Sequence, residues 1–488
     1  MCGIAGIIDL SGTQTIPLAL IRRMGHALTH RGPDEMGDYR APGIGFVSRR
    51  LSICDVAHGH QPMFNETREI CTVFNGEIYD HEKIRADLQA RGHQIKSRCD
   101  TELLPHLWED HEERFLDKLN GQFGFAIHDS VNRTILLARD RFGICPLYWA
   151  QIRDRDRHLI AFASEIKALI ASGLIDPKPD LRGIDCLFSM MAVPGPSTCF
   201  EGVNLLLPGH YLKIKLGHSQ DEARLEERAY WSVDFPDKGQ EYRGERGELV
   251  DKFESLLLDS VDRRLKADVP VAAFLSGGVD SGTVVALAKS VRGKAPETFT
   301  SKILNSDLDE SEKAARLADY TGSQLHYDPC GTEDIVNAYQ NLIVAAEAPV
   351  VDTACSATQL LARRIHNEGF KVSLCGQGAD ELLAGYPWFK VERGFSLLQN
   401  ATGSTVSSAV LNRLRRFLGF DEAGRQRLLK YNESAGGSSA FLFFFSLMNL
   451  SRSNLYSSNM HGELESHDPF AALEPDLERM RHWHPLNR

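Results

Sequence analysis

The pattern of apolar residues changes near residue 250, and this change constrains the fold more than any other feature of the sequence. Before it, short β-type runs are separated by clusters of Asn, Asp, Gly or Arg, which is typical of strands and tight turns. After it, buried-strand runs alternate with helical stretches, which is typical of a parallel α/β sheet. Because 488 residues exceed one ordinary core, we expect two domains. The runs behind these predictions are Ile70–Phe74, Phe123–His128, Thr134–Ala138 and His158–Ala163, then Val269–Leu275, Thr298–Ile303 and Lys371–Leu374.

A polar segment from Gly217 to Arg246 connects the two parts and contains the charged stretches DEARLEER and DKGQEYRGER. Charged, polar segments of this kind are typical of connections between domains. We therefore expect one domain over residues 2–217 and a second over residues 235–488.

The composition excludes several classes of protein. The net charge of −11 disfavours nucleic acids and anionic membranes as partners, because both need clustered Lys and Arg. The ten cysteines lack a CxxC pair or the Cys/His spacing of zinc sites, and predict reduced thiols in a cytoplasmic protein. No signal peptide is predicted at the N-terminus. The most apolar stretch, Ala440–Leu450, is far shorter than the ~20 residues of a membrane span and predicts a buried helix.

Cys2 is the first residue with potential catalytic chemistry. If Met1 is removed, the free α-amine of Cys2 lies within reach of its own thiol and can serve as the base. A thiol is an effective nucleophile only when a base or a lowered pKa supplies the thiolate. The alternative is a small buried thiol that stands second in the chain.

Four further motifs follow Cys2 in order, and each has a structural alternative when it is taken alone. An Asn-Gly pair favours a hairpin turn, Arg50 could form a surface salt bridge, and Asp100 could cap a helix. Their joint occurrence behind Cys2 outweighs these alternatives. The motifs are Arg31-Gly32-Pro33-Asp34, Arg50-Leu51-Ser52-Ile53, Asn75-Gly76-Glu77 and Asp100-Thr101-Glu102.

In this order and spacing the motifs resemble the glutaminase domain of the class II, N-terminal nucleophile, glutamine amidotransferases. The resemblance implies an αββα sandwich of Ntn type in which Cys2, Asn75 and Gly76 are catalytic. The Asn75 side chain and the Gly76 N–H would stabilise the oxyanion that forms under thiolate attack. The Arg50 guanidinium matches an α-carboxylate, and Asp100 can receive an α-ammonium. The implied glutamine-binding residues are Arg50, Leu51, Ser52, Ile53, Asn75, Gly76, Glu77 and Asp100.

A second constellation runs Leu275-Ser276-Gly277-Gly278-Val279-Asp280-Ser281, between an apolar strand and a helical run. Glycines and a serine at such a turn let backbone N–H groups and a helix N-terminus surround a phosphate. No lysine stands at the P-loop position, so this is not a Walker A loop. The motif resembles the pyrophosphate-binding loop of N-type ATP pyrophosphatases, which form an acyl-adenylate and pyrophosphate from ATP. A glycine-rich turn without a ligand is the alternative.

A third motif, Gly376-Gln377-Gly378-Ala379-Asp380-Glu381, follows the predicted strand Val372–Leu374. Carboxylates at the carboxyl end of a parallel strand face the ligand crevice of an open α/β sheet. Asp280 and Asp380 together could hold the Mg²⁺ that neutralises a leaving pyrophosphate. A compatible alternative is that Asp380 and Glu381 are favourable charges in the first turn of a helix.

Together, the two parts resemble the glutamine-hydrolysing asparagine synthetases, from Cys2 to about Lys390. The resemblance implies a Rossmann-like second domain and ATP as a substrate with Mg²⁺. It also implies that ammonia passes through an internal tunnel to aspartate, giving asparagine, glutamate, AMP and pyrophosphate, and it leaves a homodimer open. The residues that would contact the adenylate are Leu275, Phe299–Ser301, Cys375 and Gly376. Further markers are Gly59-His60-Gln61-Pro62, Arg139-Asp140-Arg141-Phe142-Gly143, Ser164-Glu165-Ile166-Lys167-Ala168-Leu169, Pro208-Gly209, Asp309-Glu310, His326 and Glu347-Ala348-Pro349.

Three departures from the family pattern affect these expectations. Cys145 stands where many relatives carry a basic residue, and Gln377 where some carry a Glu that manages the acceptor's proton. The sequence ends at Arg488 without the Lys-x-Asp-Arg segment whose lysine contacts pyrophosphate in relatives. We therefore expect a C-terminally short member that hydrolyses glutamine but makes asparagine slowly or not at all. The alternatives are an amidotransferase for another carboxylic acid, and an incomplete member that only hydrolyses glutamine or binds a partner.

Overall fold

The computed structural model describes residues 1–304, 307–394, 396–397, 422–437, 439–452, 455–484 and 486–487. The strands are β1 (Gly3–Asp9), β2 (Glu35–Ala41), β3 (Ile44–Arg50), β4 (Met63–Phe64), β5 (Ile70–Ile78), β6 (Gly121–Asp129), β7 (Thr134–Arg139), β8 (Tyr148–Asp154), β9 (Arg157–Ala163), β10 (Val203–Leu205), β11 (His210–Lys215), β12 (Arg224–Ala229), β13 (Val271–Phe274), β14 (Thr298–Ile303), β15 (Leu325–Cys330) and β16 (Val372–Leu374). The helices are α1 (Leu18–Ala27), α2 (His81–Ala90), α3 (Leu103–His111), α4 (Ile166–Ala171), α5 (Leu181–Met190), α6 (Arg246–Arg264), α7 (Val279–Arg292), α8 (Ser311–Thr321), α9 (Thr332–Ala346), α10 (Ala354–Asn367), α11 (Ala379–Leu383), α12 (Glu422–Ser434), α13 (Ala440–Arg452), α14 (Ser458–Glu463) and α15 (Glu474–Arg479).

Two six-stranded antiparallel sheets form the N-terminal part of the protein, with strand orders β10-β8-β9-β1-β3-β2 and β12-β11-β7-β6-β5-β4. The four strands predicted in this part are present as β5, β6, β7 and β9, each slightly longer than expected. Strand β12 pairs with β11, so the second sheet extends beyond residue 217 into the polar segment. The division of the chain at residues 217 and 235 stays a prediction.

The inner faces of the two sheets pack against each other. Phe46 and Phe162 from the first sheet and Leu137 from the second are fully buried in this layer. Burying a side chain of this size contributes roughly 1.5–3 kcal/mol to stability. Helices α1 and α4 cover the outer face of the first sheet, and α2 and α3 cover that of the second. The N-terminal part is therefore the expected αββα sandwich.

The C-terminal part contains a four-stranded parallel sheet of order β15-β14-β13-β16. Buried alanines on α7 and α8 pack against one face of this sheet, together with Leu275. Leu361 and Ile365 of α10 pack with Phe299 in a separate cluster. The three predicted strands correspond to β13, β14 and β16, and helices surround the sheet. This part has the expected Rossmann-like α/β architecture.

Helix α5 of the N-terminal part packs against helices from the end of the chain. Cys186 and Met190 of α5 form a buried cluster with Tyr431 of α12 and Leu442 of α13. The predicted helix at 440–450 is present as α13, but the expectation that it is buried is wrong in part. Its residues Phe441 and Phe444 are 43% and 50% exposed, whereas Leu442 is in the buried cluster.

None of the helices that the structure describes is both long enough and apolar enough to span a lipid bilayer. All ten cysteines lie in described residues and are free thiols.

Candidate active sites

Cys2 lies directly before β1, beside the motif that ends β3. Its Sγ accepts a hydrogen bond from the N–H of Leu51 at 3.3 Å, and its carbonyl oxygen accepts one from Nε of Arg31 at 2.8 Å. Burial raises the pKa of the Cys2 thiol, while the Leu51 N–H and the nearby N-terminal amine act to lower it. The two motifs that contain Arg31 and Leu51 therefore hold Cys2 from both sides.

The α-amine of Met1 lies near the Cys2 thiol. Burial lowers the pKa of the Met1 α-amine, although the Cys2 thiol acts to raise it. A neutral amine is the form that can accept a proton, so burial here favours a base. The expected base, the α-amine of Cys2 itself, requires removal of Met1 and stays a prediction.

Asn75 and Gly76 lie inside β5, which continues to Ile78, so the hairpin-turn alternative is wrong. The Asn75 side chain is fully buried, yet neither its nitrogen nor its oxygen has a hydrogen-bond partner among the described residues. An unpartnered buried amide costs about 1–3 kcal/mol, a cost that a bound ligand removes when it supplies the partner. Gly76 has φ +153°, and a Cβ at this position would collide with the carbonyl oxygen of Gln122. Only glycine fits there.

The Asp100 carboxylate accepts hydrogen bonds from both the end of β5 and the segment before α3. Its Oδ2 accepts from the N–H of Ile78 and its Oδ1 from the N–H of Thr101, both at 2.8 Å. The helix-cap alternative is wrong, because the residue before α3 is Glu102. Burial, together with the charge of Asp100, raises the pKa of Glu77 to about 8. An ammonium ligand beside Glu77 would favour the ionised form of this carboxyl group.

Arg50 is buried rather than exposed, and its Nη1 lies 3.6 Å from Oε2 of the half-buried Glu35, so the salt-bridge alternative is correct about the ion pair and wrong about the surface position. Its guanidinium donates to the carbonyl oxygens of three consecutive residues, Cys54, Asp55 and Val56, at 2.8–3.2 Å. A Cβ on Gly59 would collide with this guanidinium, which explains the glycine at that position. Since a guanidinium has five N–H donors, Arg50 is fixed by the protein and keeps donors for a ligand.

Ser52 and Ile53 contact the C-terminal part of the protein. The Ser52 N–H donates to Oδ2 of Asp34 at 2.8 Å, and Nζ of Lys371 donates to the same oxygen at 2.6 Å. Burial acts to raise the pKa of Asp34, but these hydrogen bonds and the lysine charge lower it overall. The carbonyl oxygen of Ile53 accepts from the N–H of Asp268 at 3.1 Å.

The glycine-rich loop joins β13 to α7, as predicted. Within it, the Ser276 N–H donates to Oγ of Ser281 at 3.1 Å, which closes the turn. Gly277 has φ +80°, and a Cβ there would lie 2.5 Å from Cβ of Lys313 on α8. Gly278 precedes the first helical residue, Val279, which is 84% exposed. The loop therefore presents its backbone and the N-terminus of α7 to solvent, as a phosphate site requires.

The segment after β16 lies against this loop. A Cβ on Gly376 would approach the backbone nitrogen of Ser281 to 2.9 Å and Cβ of Asp280 to 3.1 Å. Cys375 is exposed, and Ser301 is half-buried in β14. Leu275, by contrast, is buried, and its N–H donates to the carbonyl oxygen of Phe299 at 2.9 Å. The structure thus brings the second and third motifs together at one edge of the parallel sheet.

The charges of Asp280 and Asp380 both act on the hydroxyl of Tyr386. Asp380 and Glu381 are in the first turn of α11, as the compatible alternative expects. The hydroxyl of Tyr386 donates to Oε1 of Glu381 at 2.8 Å. This bond, then burial and the charges of Glu381, Asp380 and Asp280, raise the pKa of Tyr386 to about 12. Asp280 and Asp380 are both half-buried and lie in the first turns of α7 and α11, and their role as Mg²⁺ ligands stays a prediction.

A cavity of about 330 Å³ lies between the N-terminal and C-terminal parts. Leu51, which contacts the Cys2 thiol, lines one side of this cavity. Residues of β16, which leads to Cys375, line the other side. The cavity therefore lies between the residue that contacts the thiol and the first residues of β16. Its lining includes Met1, Arg31, Leu51, Phe370, Val372 and Ser373.

Residues 1–231 match the family model of a glutamine amidotransferase domain, and residues 252–486 match the asparagine synthase model. The chain belongs to the asparagine synthetase-type family of glutamine amidotransferases. It is 31% identical over 422 residues to the glutamine-hydrolysing asparagine synthetase 3 of Bacillus subtilis (strain 168), covering 82% of this chain and 66% of that protein. It is 33% identical over 379 residues to the amidase chyE of Penicillium rubens, covering 74% of this chain and 54% of that protein. The chain thus spans 54 to 66% of the length of these two relatives.

Two residues at the boundary between the amidotransferase and synthase parts were not singled out by the motifs as functional. Lys371 forms an ion pair with Asp34. In the sequence, the one feature that distinguishes this lysine is its position directly before a predicted buried strand. Glu347, a marker of the family resemblance, accepts hydrogen bonds from the N–H groups of Ile166 and Lys167, each at 2.6 Å. Burial raises the pKa of Glu347, although these two bonds act to lower it.

Proposed function

We propose that this protein hydrolyses glutamine at Cys2 and transfers the ammonia to an ATP-activated carboxylate. The observation that supports this proposal is the cavity of about 330 Å³, which is lined by Leu51, the residue that contacts the thiol, and by the first residues of β16, the strand that leads to Cys375. Ammonia released at Cys2 has a route through it to the second site.

The residues around Cys2 support a covalent mechanism for the first reaction. The Cys2 thiolate attacks the side-chain amide carbon of glutamine, and the C=O electron pair moves onto the oxygen. The Asn75 amide and the Gly76 N–H stabilise this oxyanion. When it collapses, the C–N bond breaks, the nitrogen takes a proton and leaves as ammonia, and a thioester remains. Water then hydrolyses the thioester to glutamate and regenerates the thiol.

The same arrangement supports recognition of the α-amino and α-carboxylate groups of glutamine. Asp100 and Glu77 receive the ammonium group, and Arg50 receives the carboxylate through its remaining N–H donors. Leu51, Ser52 and Ile53 complete this set by holding the thiol and the loop in place.

The glycine-rich loop supports activation of a carboxylate by ATP. The backbone of Ser276–Ser281 and Gly376 would bind the phosphates, with Leu275, Ser301 and Cys375 beside the nucleoside. Asp280 and Asp380 would hold Mg²⁺, which offsets the negative charge of the pyrophosphate when it is bound. Because the Walker lysine is absent, we expect cleavage to AMP and pyrophosphate rather than to ADP.

Aspartate is the acceptor that we propose first, since two of the relatives are asparagine synthetases of Bacillus subtilis. A second candidate is another carboxylic acid. The observation that favours it is that two fungal relatives, from Penicillium rubens and Gibberella zeae, are named amidases. Gln377, at the position where some family members carry a Glu, lies in the segment that would meet the acceptor.

The test measures glutamate, AMP and pyrophosphate in one reaction with glutamine, Mg-ATP and a panel of carboxylic acids that includes aspartate. We expect glutamate in every reaction, and AMP and pyrophosphate in equal amounts only with the correct acceptor. Asp280→Asn should suppress AMP formation and leave glutamine hydrolysis largely intact. ADP and phosphate as the stoichiometric products would contradict the proposal, as would AMP formation that persists in the Asp280→Asn variant.

A further inference from the structure

We propose that Glu66, His93, His106 and Glu109 bind one Zn²⁺ ion on the amidotransferase part. Each side chain offers one ligand atom, and these atoms all lie within 4.8 Å of one another. Glu66 is in the turn between β4 and β5, and His93 follows α2. His106 and Glu109 are three residues apart on α3 and share one face of that helix. Three separate segments therefore converge on one point.

The distances within the cluster match those between zinc ligands. Nδ1 of His93 lies 3.2 Å from Nδ1 of His106. The Glu66 carboxylate lies 3.2 Å from Nδ1 of His106 and 3.5 Å from Nδ1 of His93. A tetrahedral zinc ion with bonds of about 2.0–2.1 Å holds its ligand atoms roughly 3.3 Å apart. An ion fits between these three groups with little movement of the side chains.

Neighbouring groups hold three of the four ligands in place, whereas Nε2 of His106 has no partner among the described residues. Nε2 of His93 lies 3.2 Å from Oδ1 of Asp110. A proton on Nε2 that is donated to Asp110 leaves the lone pair of Nδ1 directed into the cluster, which is the usual arrangement of a metal-bound histidine. Glu66 accepts the N–H of Gln94 at 2.7 Å, and Glu109 accepts from Nδ2 of Asn65 at 3.2 Å.

The four ligands differ in burial. His106 is 1% exposed, His93 is half-buried, and Glu66 and Glu109 are exposed. The cluster therefore reaches from the surface to the buried face of α3.

The donor set selects the ion. Two imidazoles with two carboxylates suit Zn²⁺, whereas Mg²⁺ and Ca²⁺ favour sites made entirely of oxygen. Four protein ligands fill a tetrahedral site, so the ion would have a structural role. The cysteine spacing did not indicate zinc because this cluster contains no cysteine. Its metal would fasten the segment that leads through Asp100 into α3.

The experiment uses the full-length protein, stripped with a chelator and titrated with ZnCl₂ by calorimetry. Metal content is measured by mass spectrometry. His93→Gln and Glu109→Gln each remove one ligand, and His111→Gln is the matched control on the same helix. We expect one tightly bound Zn²⁺ in the wild type and in the control. The affinity should fall at least ~100-fold in both ligand variants, and about 10- to 100-fold in Asp110→Asn.

Two further readouts separate this site from adventitious binding to the thiols. Zn²⁺ should raise the melting temperature of the wild type and of His111→Gln, but not of the two ligand variants. Co²⁺ should give the visible absorption of tetrahedral coordination in the same two proteins, and Mg²⁺ should compete with neither ion. Circular dichroism verifies that each variant is folded. Because Glu109 is exposed, Glu109→Gln should remove a ligand with little effect on the core. Zinc affinity that is unchanged in both ligand variants, or the absence of a tight site in the wild type, would overturn the proposal.

Discussion

Nζ of Lys371 lies 2.6 Å from Oδ2 of Asp34, and this ion pair joins the synthase part to the amidotransferase part. The same carboxylate oxygen accepts the N–H of Ser52 at 2.8 Å, and the next residue back, Leu51, donates to the Cys2 thiol. Lys371 directly precedes β16, and the opposite end of that strand meets the glycine-rich loop. A displacement of β16 would therefore reach the thiol through a short series of direct contacts.

Replacing this lysine should weaken communication between the two reactions. We expect Mg-ATP with the acceptor to stimulate glutamine hydrolysis, and Lys371→Met to reduce that stimulation about five-fold or more, the lower end of typical coupling between sites. Glutaminase rates with and without nucleotide measure the effect. Lys178→Met is the matched control, because Lys178 pairs with Asp176 at an exposed position. Equal loss of stimulation in Lys371→Met and Lys178→Met would argue against a role of the Lys371–Asp34 ion pair in this communication.

Cys2→Ala should abolish glutamine hydrolysis, by at least ~10³-fold, because it removes the covalent nucleophile. Blocking removal of Met1 should have the same effect if the α-amine of Cys2 is the base. The control is Cys54→Ala. Burial raises the pKa of Cys54 to about 12, so that thiol is not a nucleophile at neutral pH. Glutamate production near the wild-type rate in Cys2→Ala would refute the assignment.

Asn75→Ala should lower kcat for glutamine by about 10²- to 10³-fold and leave KM nearly unchanged, since the amide acts on the oxyanion. The melting temperature should change little, because the Asn75 amide has no hydrogen-bond partner to lose among the described residues. Asn132→Ala is the matched control, and it should lower the melting temperature and leave kcat nearly unchanged. The reason is that Nδ2 of Asn132 donates a hydrogen bond to Asp129 at 2.8 Å. A marked loss of stability with normal kcat in Asn75→Ala would indicate a structural role.

The pH dependence of glutamine binding should depend on Glu77. Burial and the charge of Asp100 raise its pKa from 4.5 to about 8, so Glu77 is protonated at neutral pH. An α-ammonium ligand favours the ionised form, and its binding releases a proton. KM for glutamine should therefore fall as the pH rises towards about 8 and level off above it. Glu77→Gln should raise KM and remove this dependence.

The same shift predicts a change in stability. A carboxyl group whose pKa is raised by folding stabilises the folded state below its unfolded pKa, and that stability is lost as the pH rises through the folded value. The melting temperature of the wild type should thus decline between pH 4.5 and about 8 more steeply than that of Glu77→Gln. Parallel profiles for the two proteins would contradict the prediction.

The sequence predicted the features that depend on neighbouring residues. Strand β14 has the bounds expected from its run of residues, and the loop of Ser276–Ser281 lies between a strand and a helix as predicted. The αββα and Rossmann-like architectures followed from the family resemblance. The charged segment after residue 217 was less informative, because part of it forms β12 and pairs with β11.

Features that depend on contacts between distant segments were not predictable in this way. Lys371 and Asp34 are far apart in the chain, and neither is unusual in its local context. The ligands of the proposed zinc site are spread over Glu66 to Glu109 without a recognisable spacing. That the Asn75 amide lacks a partner is a property of the packed core, since any sequence pattern shows only that an asparagine is present.

Helix α5 has a consequence for how this protein is made. The ribosome completes α5 at Met190, yet the residues that form the buried cluster with Cys186 and Met190, among those that the structure describes, begin with Leu428. At synthesis rates of about 5–20 residues per second, roughly 10–50 s pass between the synthesis of α5 and the synthesis of those residues. During that time the apolar side of the helix is exposed on a sandwich that can already fold. A chaperone that binds nascent chains would therefore find its target on the first half of the protein, long before the second half exists.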